Sequence, residues 1–174
     1  GKGYDGRILL NGEESGAEGR AFANFVGGAM DGRSYELPYL GKLAWENAVA
    51  HPNPGDSTIV VGLDDGGGGQ VYVYKGAKSA SGSAVEKAGL AGGTLYGIKV
   101  AGFTDESPAS GIPSGTAFTG YSLGNVASST GAALETASDA GGVTQFLRPE
   151  DGAWDTNDPS VFYFVTTADI NAKS

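Results

Sequence analysis

The chain has 174 residues, a formal net charge of −9, 31 glycines, one histidine and no cysteine. The acidic balance argues against a nucleic-acid partner, since phosphate backbones are met by basic patches. Without cysteine there is no disulfide framework, zinc–thiolate site or iron–sulfur cluster, and one histidine rules out a histidine-rich metal centre.

The length suits one domain, 1–174, with a sizeable core. No apolar run reaches about 18 residues, so no transmembrane segment is expected. Residues 7–10 form a short apolar strand that runs into Asn11-Gly12, a turn signal, and then Glu13-Glu14. Residues 20–26 are its expected partner, and 27–33 a glycine-rich loop. Residues 42–50 follow as a strand, closed by Pro52 and Pro54, with His51 in a structural turn. Residues 58–63 and 70–75 flank Asp64-Asp65-Gly66-Gly67-Gly68-Gly69, the clearest hairpin signal in the chain. Residues 94–100 make another strand. Residues 107–142 are rich in Ser, Gly, Ala and Thr and read as a flexible or insertion-like excursion, with one short helix near 132–137. Residues 161–167 are β-branched and aromatic, a buried strand. The pattern is all-β and mostly antiparallel, and both sandwich and propeller fit it.

The acidic groups fall at the ends of these strands. Residues 148–155 place Arg148, Glu150, Asp151 and Asp155 beside Trp154, and read as a loop hung on the strand that follows. Carboxylate oxygens suit hard cations, and an arginine fork suits a phosphate or a carboxylate. The plain alternative is a solvated turn with Arg148 paired to Asp151. On a regular strand Glu46 shares a face with Ala44, Ala48 and Ala50, which leaves room for an ion or a ligand. An outer face open to water is the alternative there. Glu13-Glu14 are adjacent like charges that a divalent ion would relieve. Asp64-Asp65 lack the later acidic ligands of an EF-hand loop. Asp155 and Asp158 read as turn formers.

Four blocks carry a family resemblance. They are residues 10–14, residues 45–47, residues 62–65 with 71–74, and residues 146–154 with 162–167. The chain resembles the PhoX-type alkaline phosphatases and their phytase-like relatives, β-propellers exported by bacteria. The resemblance implies roughly two to three blades of a propeller, which needs about four to close. The rest of the propeller, or another chain, would then cover the open sheet edges. It also implies a secreted or periplasmic hydrolase of phosphate esters that works with calcium and iron. By resemblance, Glu13 or Glu14, Glu46 and Glu150 are ligands of the metal cluster. One of Asp64 and Asp65 is a calcium ligand, and Arg148 clamps the phosphoryl group. The family's iron-bound cysteine would fall at Gly12, and this chain has no cysteine. A non-catalytic, calcium-stabilised propeller module is the alternative reading.

Overall fold

The computed structural model describes residues 1–106 and 111–167. Its strands are antiparallel wherever two named strands pair. A first sheet joins β1 (Arg7–Gly12), β2 (Ala21–Val26) and β3 (Ser34–Glu36) in chain order. The central sheet is a meander of β4 (Trp45–Ala50), β5 (Ser57–Asp64), β6 (Gly67–Ala77), β7 (Gly93–Val100) and β8 (Phe118–Gly124). The short β9 (Gln145–Leu147) pairs with the start of β6. A hairpin of β10 (Pro149–Trp154) and β11 (Phe162–Thr166) makes the third sheet. Among the described residues the sheets do not close into a barrel or a propeller; β4 and β8 end the central order. No helix there is long and apolar enough to cross a membrane.

β6 explains why the layers stack as they do. Its side chains alternate, with Tyr72 and Tyr74 in one apolar cluster and Val71 and Val73 in another. The first cluster joins Phe25 of β2, Trp45, Tyr72, Tyr74 and Leu95. The second joins Val61, Leu63, Val71, Val100 and Phe146, with Trp154, Phe162 and Phe164 of the third sheet packed against it. The central sheet is therefore covered on both faces, which is why residues 58–63 read as one apolar run. Both buried phenols are satisfied. Tyr72 Oη donates to Gln70 Oε1 at 2.9 Å, and Tyr74 Oη donates to the Gly89 carbonyl at 2.9 Å.

The two α-helices carry their own caps. α1 (Ala84–Lys87) opens on a capping box between Ser83 and Glu86. α2 (Gly131–Gly141) opens on Thr130 and ends at Gly142, whose φ of 68° is left-handed. Leu134 of α2 is buried in the first cluster. The stretch 107–142 thus holds β8 and α2; residues 107–110 lie outside the described residues.

Four local expectations are corrected. Asn11-Gly12 is strand, not turn: Asn11 pairs with Phe22 and Gly12 with Ala21. Gly12 is required by packing, because a Cβ there would collide with Cβ and Cγ of Trp45. Residues 149–154 form strand β10 instead of a loop. β11 is only half covered, with Tyr163 60% and Val165 58% exposed, because it borders a two-stranded sheet with one packed face. The Asp64–Gly69 hairpin is present, but Gly67, Gly68 and Gly69 continue as strand, and Gly67 pairs with Leu147.

Gly12→Ala tests the Trp45 contact. Overpacking of this kind costs about 1–3 kcal/mol. A clear fall in melting temperature is expected; an unchanged one contradicts the packing role.

Candidate acidic cluster beside Arg148

Two backbone bonds bring three distant segments together. The Trp45 N–H donates to the Glu13 carbonyl at 3.3 Å, and the Asp65 N–H donates to the Ala44 carbonyl at 2.9 Å. The exit of β1, the start of β4 and the β5–β6 tip therefore lie side by side. One carboxylate oxygen each from Glu14, Glu46 and Asp65 lies within 4.8 Å of the other two.

Glu46 arrives there through a bulge. Trp45 pairs with Asp64 and Asn47 with Leu63, so Glu46 is an extra residue in the ladder. The bulge breaks the expected alternation: Trp45 is buried in the first cluster, and Ala48 packs against it. Asn47 instead reaches β10, its Nδ2 donating to Asp151 Oδ1 at 2.6 Å. A second bulge lies in β10 between Pro149 and Gly152, around Glu150 and Asp151. Irregular strands thus re-aim polar side chains on both sides of the cluster.

Arg148 links β9 to β10. Its φ of 60° is the one left-handed value at a non-glycine position among the described residues. Such a conformation costs on the order of 1 kcal/mol and persists only where the surroundings hold it. Here the Arg148 N–H donates to the Phe146 carbonyl, and the Arg148 carbonyl accepts from Thr167 N–H. The guanidinium makes a fork on Asp65: Nε donates to Oδ1 and Nη2 to Oδ2, both at 2.8 Å. Glu150 Oε1 is 3.7 Å from Nη2 and accepts from Thr167 Oγ1 at 2.9 Å. The partner of Arg148 is thus Asp65, while Asp151 is held by Asn47.

The charges do not balance evenly. Burial, then the neighbouring Glu14, Glu150, Asp65 and Asp151, hold the Glu46 carboxyl above the usual carboxylate range. The hydrogen bonds from Arg148 to Asp65 hold the guanidinium even more firmly in its charged form.

Other acidic candidates lie elsewhere. Glu13 turns to Arg20, accepting from Nε at 2.9 Å and Nη2 at 2.8 Å, and this pairing lowers its pKa. Asp64 faces inward and accepts the N–H groups of Ala44 and Gly66 at 3.1 and 3.3 Å, bracing the hairpin. Burial pushes its pKa up to about 6. Asp155 accepts from the N–H groups of Asn157 and Asp158, as a turn former does. His51 braces its own turn: Nδ1 accepts from Asn53 N–H, and Nε2 lies 2.8 Å from the Pro159 carbonyl.

The gathered donors are all carboxylate oxygens, the set that hard divalent cations prefer. A thiolate at position 12 has no space, since the Trp45 side chain lies over Gly12. The donor set therefore suits a hard cation in general and does not fit a thiolate-held iron. No protein-family model matches the chain, and no curated protein or solved structure matches it.

Asp64 yields a pH prediction. Its folded pKa, about 6, lies above the ordinary 3.8, so the folded state holds the proton more tightly. Its contribution to stability is present in full below about 4 and is lost as pH rises through about 6. In Asp64→Asn the side-chain amide keeps an oxygen for both backbone donors and cannot ionise. The stability of Asp64→Asn minus that of wild type should rise between those limits by on the order of 1–3 kcal/mol. Urea melts in chelator across that range measure it; a flat difference removes the buried-carboxylate account.

Proposed function

We propose that this chain binds calcium through Glu14, Glu46 and Asp65, with Glu150 alongside, and uses the site to hydrolyse phosphomonoesters. The observation that carries this reading is the convergence of three carboxylates from three segments beside one arginine on a left-handed backbone. The antiparallel meander, with the resemblance of residues 10–14, 45–47, 62–65 and 146–154 to PhoX-type phosphatases, is what supports reading the chain as part of an exported bacterial propeller of that kind.

Bound calcium would supply positive charge to neutralise and polarise a phosphoryl oxygen. The protein's own groups do the rest. The Arg148 guanidinium takes two phosphoryl oxygens in its planar fork. Glu150 lies beside that fork, and Thr167 orients Glu150. The Asn47–Asp151 bond holds β10 against β4, so Arg148 and Glu46 keep their spacing.

A second reading is a non-catalytic, calcium-stabilised β-module. It draws on one observation: Asp65 already fills both arms of the Arg148 fork.

Elemental analysis of the purified native protein, with calcium titration by calorimetry, tests the metal. Wild type should gain about 2.7 kcal/mol of stability at calcium a hundredfold above Kd. Glu46→Gln should lose most of that gain while melting slightly above wild type in chelator, since it removes a charge held among like charges. Equal gains in both would exclude Glu46 as a ligand. For catalysis, Arg148→Lys should lower turnover of a chromogenic phosphomonoester by roughly 30-fold to 1,000-fold, corresponding to about 2–4 kcal/mol. Its melting temperature should fall as well, because lysine loses the fork on the buried Asp65, so turnover is compared where both proteins are fully folded. An inactive wild type with calcium bound would select the module.

A further inference from the structure

Of the two strands that end the central sheet, β4 is guarded and β8 is not. β4 carries the Glu46 bulge, lies against β1 through the Trp45–Glu13 bond, and has its Val49 carbonyl reached by Trp154 Nε1 at 3.4 Å. Among the described residues β8 pairs with β7 alone. Its seven residues, Phe118–Gly124, include no charge and no proline, the usual guards of an exposed edge. Phe118 is 66% and Tyr121 39% exposed.

The Ala101 N–H donates to the Ala117 carbonyl at 2.8 Å, so by strand alternation Thr119 and Tyr121 also turn their backbone groups to β7. Phe118, Gly120 and Ser122 turn theirs outward, and no described residue bonds to them there. Both ends of this edge are bounded. The Thr116 N–H is already taken by the Pro113 carbonyl, and Gly124 has a left-handed φ of 72°. The three outward residues are symmetric about Gly120. From that symmetry we infer that β8 pairs antiparallel with β8 of a second copy of this chain, on a two-fold axis at Gly120. Phe118, opposite Val100 on the face of the second apolar cluster, then meets the partner's Ser122. Tyr121, on the other face beside Gly141 of α2, meets the partner's Thr119. Each large side chain faces a small one. Two copies of a chain with net charge −9 repel over most of their surface, and β8 adds no charge to that repulsion. So short a strand pair buries less than a standard interface, which makes the dimer a reversible one. It stands whether or not the acidic cluster holds a cation.

Analytical ultracentrifugation of the whole chain in chelator tests the pairing. Wild type should be a monomer when dilute and move toward the dimer mass as concentration rises, more so at high salt, which screens the repulsion. Ser122→Lys sets a charge against the partner's Phe118 from an exposed position. It should stay monomeric throughout while melting like wild type in dilute solution. The chain has no cysteine, so single cysteines report the register. The two Cα atoms of a hydrogen-bonded antiparallel pair lie about 5.5 Å apart, within disulfide reach. A Cβ at Gly120 makes only ordinary contact with Tyr96, so Gly120→Cys should give a disulfide-linked dimer in oxidised glutathione. Phe118→Cys should not, because the offset along the strands separates its two copies by roughly 13 Å. A monomer at every concentration and salt overturns the pairing. So does a dimer that Ser122→Lys leaves intact, or one in which Phe118→Cys links as readily as Gly120→Cys.

Discussion

Trp45 lies between two glycines, Gly12 on β1 and Gly62 on β5, and a Cβ at either would collide with it or crowd it closely. Its backbone N–H reaches Glu13, and the carbonyl of its neighbour Ala44 receives Asp65. One buried indole thus sets the distance between three segments whose next residues carry carboxylates. The ring is there for its bulk: among the described residues its Nε1 has no hydrogen-bond partner. Leaving a buried donor unpaired costs about 1–3 kcal/mol, so the packing must outweigh that loss. Cluster and core are consequently one construction, and the glycine at position 12 serves both.

The electrostatics of the cluster then follow. Burial and the approach of Glu14, Glu150, Asp65 and Asp151 raise the cost of ionising Glu46, and Arg148 stands beside this group. It commits its fork to Asp65, whose side chain is almost wholly buried, and leaves Glu46 among like charges. The half-buried Glu46 carboxyl therefore carries the strain of the like charges around it. The strained backbone at Arg148 fits that picture, because an arginine on a freely adjustable turn would not be held over Asp65.

Much of the fold was legible in the sequence because it rests on local signals. Alternation at 71–74, the apolar run at 58–63 and the glycine-rich tip at 64–69 follow the pleat and the hairpin directly. The failures share one cause: contacts between distant segments. Asn11-Gly12 carries a turn signal, yet Trp45, far along the chain, needs that glycine inside a strand. The bulge at Glu46 moves Asn47 toward Asp151, and strict alternation cannot foresee an added residue. Asp65 and Arg148 are 83 positions apart, so nothing local could choose Asp65 over Asp151 as the partner of Arg148. Of the adjacent Glu13 and Glu14, Arg20 pairs with Glu13, while Glu14 lies near Glu46 and Asp65, a division nothing in the local sequence shows.

The β10–β11 hairpin binds the remaining pieces together. Its inner aromatics, Trp154, Phe162 and Phe164, close the second apolar cluster over Val61 and Val71. An edge-to-face contact between Phe146 and Phe164 at 5.2 Å ties the hairpin to β9, and one between Trp154 and Phe162 at 4.9 Å joins its own two strands. The same hairpin begins one residue after Arg148 and carries Glu150 and Asp151 in its bulge. Its placement therefore depends on apolar packing at one end and on the Asn47–Asp151 and Arg148–Asp65 contacts at the other. Hydrophobic burial is non-directional and sets only the layer; the polar contacts set the register at which Arg148 meets the acidic cluster. A loosened second core would move the arginine as surely as a change at Asp65, which makes the stability of this hairpin part of the geometry of the cluster.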